Sequence, residues 1–342
     1  MRIRPATAAD GARWNAFVNL CERANFYQRW EWNAINRDAL GHRTHFLLAE
    51  RGETVVGVLP LVRVRTLLFG DLLTSMPFVN FGGPAGVDDA TEDALVEAAC
   101  AEADRMRCDH LQLRATRAFG ALPVGTDKVS MTVALLPTAE AMMQAFSQKH
   151  RHNLRRAQKN AITVRQASGG ELLDDFYAVL RLSWQRLGTP LYRRDYFARI
   201  IAEMPEAIRI HVAYHEGKPI AVALNGEFRG TVEGMWAGVD PAAQALQPNY
   251  VLYWEMIRDA CERGFTRFHL GRSTKDSGAV AFKEKWAATP TQLYWNYHLV
   301  KAKELPRLNP DNPKYQRAIR TWQRLPLGLL DVVGPPIARG IP

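Results

Sequence analysis

The sequence has little that would commit it to a metal centre, a disulfide framework or a membrane span. Only four of its 342 residues are cysteine (Cys21, Cys100, Cys108 and Cys261), and no two form a C-x-x-C pair. That scatter excludes a stapled scaffold or a cysteine-based zinc module and suits free thiols in a reducing compartment. The nine histidines make no H-E-x-x-H pattern, so no metal site is expected. No apolar run reaches the roughly 20 residues that cross a bilayer. The opening residues Met1 to Thr7 start no apolar segment of the secretory kind, so a cytoplasmic protein is expected. A Gly/Ser-rich linker is also missing, which points to domains packed together rather than tethered.

What is present is an ordinary globular balance of 47% apolar and 23% charged residues, with a net charge of +9. That charge favours polyanionic company, such as tRNA, nucleotide phosphates or an anionic membrane surface, although solvated arginine alone would give the same composition. The length suggests two or three domains. Residues 45–59 and 210–224 each read as a strand, a tight turn at Gly52 or Gly217, and a second strand. Later in each half a helix leads into a strand: 94–106 into 111–113, and 250–263 into 268–270. Gly217 lies 165 residues after Gly52, and Leu270 lies 157 after Leu113. Similar offsets imply a duplicated α/β domain. The expected organisation is 1–145, 146–300 and a proline-punctuated extension, 301–342. A helix near 313–324 is the only regular element expected in that extension, and 325–337 is read as apolar but broken by Gly328, Gly334 and two prolines.

Three segments carry candidate chemistry. The helical run Gln148 to Asn160 places Arg151 and Arg155 four residues apart, beside His152, Arg156 and Lys159. Leu154, Ala157 and Ala161 are available to anchor its other face. It reads either as a solvated face or as an anion-binding stripe. The strand 231–238, T-V-E-G-M-W-A-G, has glycines at 234 and 238 that permit close approach of another backbone. The segment 249–283 reads as a helix capped by Asn249, with Pro248 barring backward extension and Gly264 ending it. Its apolar face is Tyr250, Tyr253, Trp254, Ile257 and Cys261. A strand over 267–270 and a polar loop follow, and the segment closes on Phe282-Lys283.

The stretches K-x-R-x-N-x-R-R-A from Lys149, G-R-S from Gly271 and F-K at 282–283 resemble FemAB-like transferases of the GNAT acyltransferase fold. The runs 26–32, 57–61 and 68–83 resemble the FemAB-like proteins associated with exosortase and exopolysaccharide clusters. The resemblance implies an α/β (α+β) fold of two tandem GNAT-like domains. It implies acyl or aminoacyl transfer to an amine of an envelope or polysaccharide precursor. The implied site has Lys283 stabilising developing charge and Glu233 as base, with backbone N–H groups of the 231–238 strand facing an oxyanion. Lys149, Arg151, Arg155, Trp236, Asn249, Arg272, Ser273 and Phe282 are the implied substrate contacts, and Asn80, Gly82 and Gly83 the lining of an acceptor groove.

Each of these has a plainer alternative: an exposed lysine at 283, a surface carboxylate at 233, and core positions for Phe26, Trp30 and Trp32. His269 stands where close relatives are expected to carry an acid, and reads as either a base or a core histidine. Acyl-CoA and aminoacyl-tRNA are the candidate co-substrates. However, 244–249, Q-A-L-Q-P-N, lacks the glycines of a CoA pyrophosphate loop. A non-catalytic scaffold that binds a glycan or membrane through the basic helix and tail is the contrasting reading, and the tail's arginines suggest a peripheral contact at the inner membrane.

Overall fold

The structure is a computed structural model that describes residues 1–66, 69–306 and 313–341. Leu68, Pro310 and Pro342 of the segments named above lie outside the described residues. The strands in chain order are β1 Arg2–Pro5, β2 Arg43–Thr44, β3 Leu47–Arg51, β4 Thr54–Leu59, β5 Leu61–Thr66, β6 Gly70–Ser75, β7 Ala85–Gly86, β8 His110–Ala115 and β9 Val124–Gly125. They continue as β10 Lys128–Ala134, β11 Thr163–Ser168, β12 Ile208–His215, β13 Lys218–Phe228, β14 Thr231–Val239, β15 Arg267–Thr274, β16 Thr289–Gln292 and β17 Tyr294–Leu299. The helices are α1 Gly11–Leu20, α2 Trp32–Ala34, α3 Asp89–Met106, α4 Ala139–Ala145, α5 Gln148–Gln158, α6 Leu173–Leu187, α7 Arg194–Glu203, α8 Pro248–Glu262, α9 Gly278–Glu284, α10 Pro313–Trp322 and α11 Leu327–Ala338.

The chain divides into two compact units. The first comprises Met1–Val129, Thr291–Leu308 and Arg339–Pro342, and the second Ser130–Pro290 with Asn309–Ala338. The sequence places its boundaries at 145/146, within the stretch after Pro137 read as helical, and at 300/301, where the proline-punctuated tail begins. Two of the changes of unit, at 129/130 and 290/291, fall inside β10 and β16, which local pattern does not reveal.

The first unit holds a sheet ordered β1-β3-β4-β7 and another ordered β2-β5-β6-β8-β17-β9. Its core gathers Leu47, Leu59, Leu73 and Leu111 under Leu95 and Ala99 of α3. Those two α3 residues are four apart, as one helical face requires. Gly57 lets α3 settle on β4, since a Cβ there would lie 2.7 Å from the Thr91 methyl. Phe26 and Trp32 are fully buried, so this aromatic run is core.

The second unit is built on one sheet, β11-β12-β13-β14-β15-β10-β16. The β12–β13 hairpin turns at Gly217, φ +76°. The buried faces of α6 (Phe176, Val179, Leu180) and α8 (Val251, Leu252, Ile257) cover the strands. β17 follows β16 in sequence but sits between β8 and β9 of the first unit's sheet. β10 follows β9 but sits between β15 and β16. The chain therefore exchanges one strand in each direction.

Helix α10 forms where the sequence expects one. The stretch read as broken, 325–337, is nevertheless helical as α11, with Pro335 and Pro336 inside its last turns. Buried Leu330, Gly334 and Ala338 recur every four residues, so one packed face holds the helix despite the missing proline N–H groups.

Candidate active site

The site grows from a place where two parallel strands part. β14 and β15 pair over Thr231–Glu233 and Arg267–His269, and their register ends there. On its other side β14 pairs with β13, and the register slips between Leu224 and Asn225. Trp236 then faces Leu224 and Gly234 faces Asn225, which leaves Met235 as a bulge. A bulge at the point of divergence bends β14 away from β15.

Three side chains form a row across the sheet at the last pair. His269 Nδ1 lies 2.6 Å from Glu233 Oε2, and its Nε2 lies 2.5 Å from Ser130 Oγ on β10. A carboxylate only accepts, so Nδ1 is the donor. Nε2 faces the Ser130 hydroxyl, which can both donate and accept. All three residues are buried, at 3 to 6% exposure. An unpaired carboxylate there would cost several kcal/mol, so the imidazole is what allows Glu233 to be buried. A base held by an oriented partner, itself held by a third group, is the arrangement that proton-transfer sites use.

Two residues beyond His269 the chain turns at Gly271, φ +78°. Lys283, from α9, reaches back to this turn. Its Nζ donates to Gly271 O at 2.9 Å, Arg272 O at 3.2 Å and Ser273 Oγ at 3.0 Å. An ammonium has three donors, and all three are used. Lys283 is therefore neither exposed nor free to donate to a substrate oxygen; it ties α9 to the diverging end of β15. Burial, and then the charge of Arg272, push its ammonium down to about 8 from 10.5.

The structure brings Arg272, Ser273, Phe282 and Lys283 together, two residues along β15 from the Glu233–His269 pair. Phe282 stands edge-on to Tyr253, with ring centroids 5.2 Å apart, and Tyr253 stacks on the fully buried Trp286. Trp286 also meets His150 at 4.4 Å. Burial holds that imidazole at about 4, so it is neutral near pH 7.

Other expected contacts sit elsewhere. Trp236 packs edge-on against Tyr196 and Phe197 of α7 and is core, because the bulge turns it onto the helical face of the sheet. Gly238 admits α6 rather than a substrate: a Cβ there would lie 2.9 Å from Ser183 Cβ. Asn249 is the second residue of α8 and not its cap. Gln247, φ +54°, takes the cap position, and Pro248 is the first helical residue, where its fixed φ and missing N–H suit it.

On α5, Arg151 donates to Gln144 O and Phe146 O, capping α4 and not facing outward. Lys149 and Arg155 are exposed and have no acidic partner among the described residues. His150, Leu154 and Ala157 are the buried anchors; Ala161 lies beyond the helix end. Arg156 donates to Gln247 Oε1 and Asn160 to Leu246 O, which sets the basic stripe beside the start of α8.

In the first unit, Asn80 is buried and donates to Tyr27 OH at 2.8 Å, and Gly82 packs on Met76. Gly83 lines a pocket of about 310 Å³ with Arg23, Phe81, Glu92, Arg117 and Phe119. Ser130 was not legible as a site residue. It stands 139 residues from His269 in sequence, and only the strand exchange brings it near.

Residues 148–284 match the model of the acetyltransferase (GNAT) domain. No curated protein matches the chain. Among solved structures, FemX is similar over 93% of this chain and all of its own, at 14% identity and a TM-score of 0.67. L-PGS from Bacillus licheniformis is similar over 94% of this chain and 99% of its own, at 15% identity and a TM-score of 0.59. A tandem GNAT protein from the clavulanic acid biosynthesis pathway is similar over 89% and 99%, at 10% identity and a TM-score of 0.55. Residues 148–284 therefore hold an acetyltransferase (GNAT) domain, and the chain as a whole has a two-domain, tandem GNAT-like fold.

Proposed function

We propose that the protein transfers an activated acyl or aminoacyl group to an amine, forming an amide on an anionic cell-envelope or exopolysaccharide precursor. The observation that carries this reading is the buried Glu233–His269–Ser130 row at the point where β14 and β15 part. The amine attacks the activated carbonyl directly. The C–N bond forms and the amine's proton passes to Glu233; the donor's C–O or C–S bond breaks with its electron pair staying on the leaving oxygen or sulfur, which then takes up the proton from Glu233. His269 and Ser130 are positioning residues that hold the carboxylate in place. Lys283 orders the end of β15 and adds a positive field where the oxyanion develops, without donating to it.

Donor phosphates meet Lys149 and Arg155 beside the N-terminal end of α8, where a 15-residue helix presents its positive pole. A second reading, with acyl-CoA as the donor, draws support from the acetyltransferase-domain match over 148–284. The test is thermal-shift binding of CoA, acyl-CoAs, aminoacyl-tRNA and nucleotide sugars to wild type and to Lys149→Glu/Arg155→Glu, followed by mass spectrometry of transfer to an amine. One donor class should shift wild type and lose its effect in the variant. Absence of both binding and transfer across all classes would overturn the reading.

A further inference from the structure

We infer that the face built from α10, α11 and the C-terminal end of α6 docks on an anionic lipid bilayer. The inference stands independently of the transfer reaction. Leu330, Gly334 and Ala338 of α11 are buried. The opposite stripe of Leu329, Val332 and Pro336 is exposed, to 45% and 71% at the first two. Leu187, at the end of α6, is 61% exposed. Seven large apolar side chains of the described residues are exposed, and three of them fall on these two helices.

The elements adjoin. Gln185 donates to Leu325 O, Gln323 donates to Arg186 O, and Gly188 lies against Ile319. Around them stand Arg186, Arg317, Arg320 and Arg324, all exposed and with no carboxylate partner among the described residues. The one acid of α11, Asp331, is held by Arg181, so its charge does not oppose an anionic surface.

A helix that is apolar on both sides has one side left to cover, and four unpaired arginines beside it select an anionic cover. Three apolar side chains alone would bind only marginally, and a stable contact needs the second, electrostatic signal that these arginines supply. The contact is interfacial, with α11 lying in the plane of the headgroups. Each arginine near such a surface strengthens binding roughly fivefold.

The test is co-sedimentation of the full chain with vesicles of phosphatidylcholine alone and of phosphatidylcholine with phosphatidylglycerol, at low and high salt. The expected result is binding to the anionic vesicles only, released by salt. Leu329→Ser/Val332→Ser and, separately, Arg320→Glu/Arg324→Glu should each weaken it at least about tenfold. These positions are exposed, and an unchanged thermal unfolding transition would confirm folded variants. Lys149→Glu/Arg155→Glu should bind vesicles as wild type does. Binding to neither vesicle, binding unchanged by the α10 and α11 variants, loss on the α5 variant, or binding of labelled tRNA in place of vesicles would overturn the inference.

Discussion

The two units hold the same row in two chemistries. In the second, the last parallel pair is Glu233 and His269, and Ser130 extends it onto β10. In the first, the last parallel pair is Thr74 and Gln112, and Tyr297 extends it onto β17. Thr74 Oγ1 lies 3.4 Å from Gln112 Oε1, Gln112 Nε2 donates to Tyr297 OH at 2.9 Å, and Arg114 Nε donates to Gln112 Oε1 at 2.9 Å. In both units an exchanged strand supplies the third member. No carboxylate or imidazole stands in the first row. The geometry therefore belongs to the duplicated fold, and the carboxylate and imidazole belong to one copy. A buried polar row knits three strands together whatever its members; only Glu233 and His269 give it a proton acceptor.

The largest expected effect breaks that asymmetry. Glu233→Gln keeps the shape and removes the base, and should lower kcat about 10²- to 10⁴-fold with KM nearly unchanged. Thr74→Val, at the matching place, should leave kcat almost untouched and cost about 1 kcal/mol of stability, read by denaturant unfolding. His269→Gln should lower kcat less than Glu233→Gln does. It should also abolish a downfield, exchange-protected imidazole proton in the NMR spectrum, which a purely structural role would not tie to kcat. Ser130→Ala removes the hydroxyl that faces His269 Nε2, and should cost about 1–3 kcal/mol of stability with a smaller loss of rate.

Lys283 sharpens the comparison through pH. Its ammonium is charged below about 8 and neutral above, so transfer should fall as pH rises through 8. Lys283→Arg should move that limb to higher pH. For stability the sign is opposite. The folded pKa lies below 10.5, so the unfolded chain holds more protons between 8 and 10.5, and this group's contribution to stability rises with pH across that window. The smallest expected effect is at His150. Its pKa of about 4 lies below the usual 6.5, so its contribution to stability should fade as the solution is acidified from 6.5 to 4. Urea unfolding of wild type and His150→Phe across that range would show it.

Much of this was legible in the sequence. The paired hairpins at Gly52 and Gly217, the helix ending at Gly264 and the strand after it all follow from local pattern, and their spacing revealed the duplication. Ser273 and Lys283 stood out in the sequence through short matching segments, and Glu233 through its place in the glycine-containing strand 231–238. Their contacts were not legible. The pattern around Lys283 cannot say that three acceptors of one turn consume its donors. The resemblance that implied a substrate contact for Trp236 carries no sign of the bulge at Met235, which turns that side chain onto the α7 face. The basic stripe was visible, but the diversion of Arg151 to the end of α4 depends on the 144–147 turn. Ser130 and the strand exchange were invisible for the reason that makes non-local pairing hard to read: nothing near residue 130 records its partner 139 residues away.

The most direct test is single-turnover transfer by wild type, Glu233→Gln and Thr74→Val, with the donor found by thermal shift and all three proteins saturated with it. Amide formation should be at least about a hundredfold slower in Glu233→Gln alone. Equal rates for wild type and Glu233→Gln, or an equal loss in Thr74→Val, would contradict the claim that the second unit's row carries the proton.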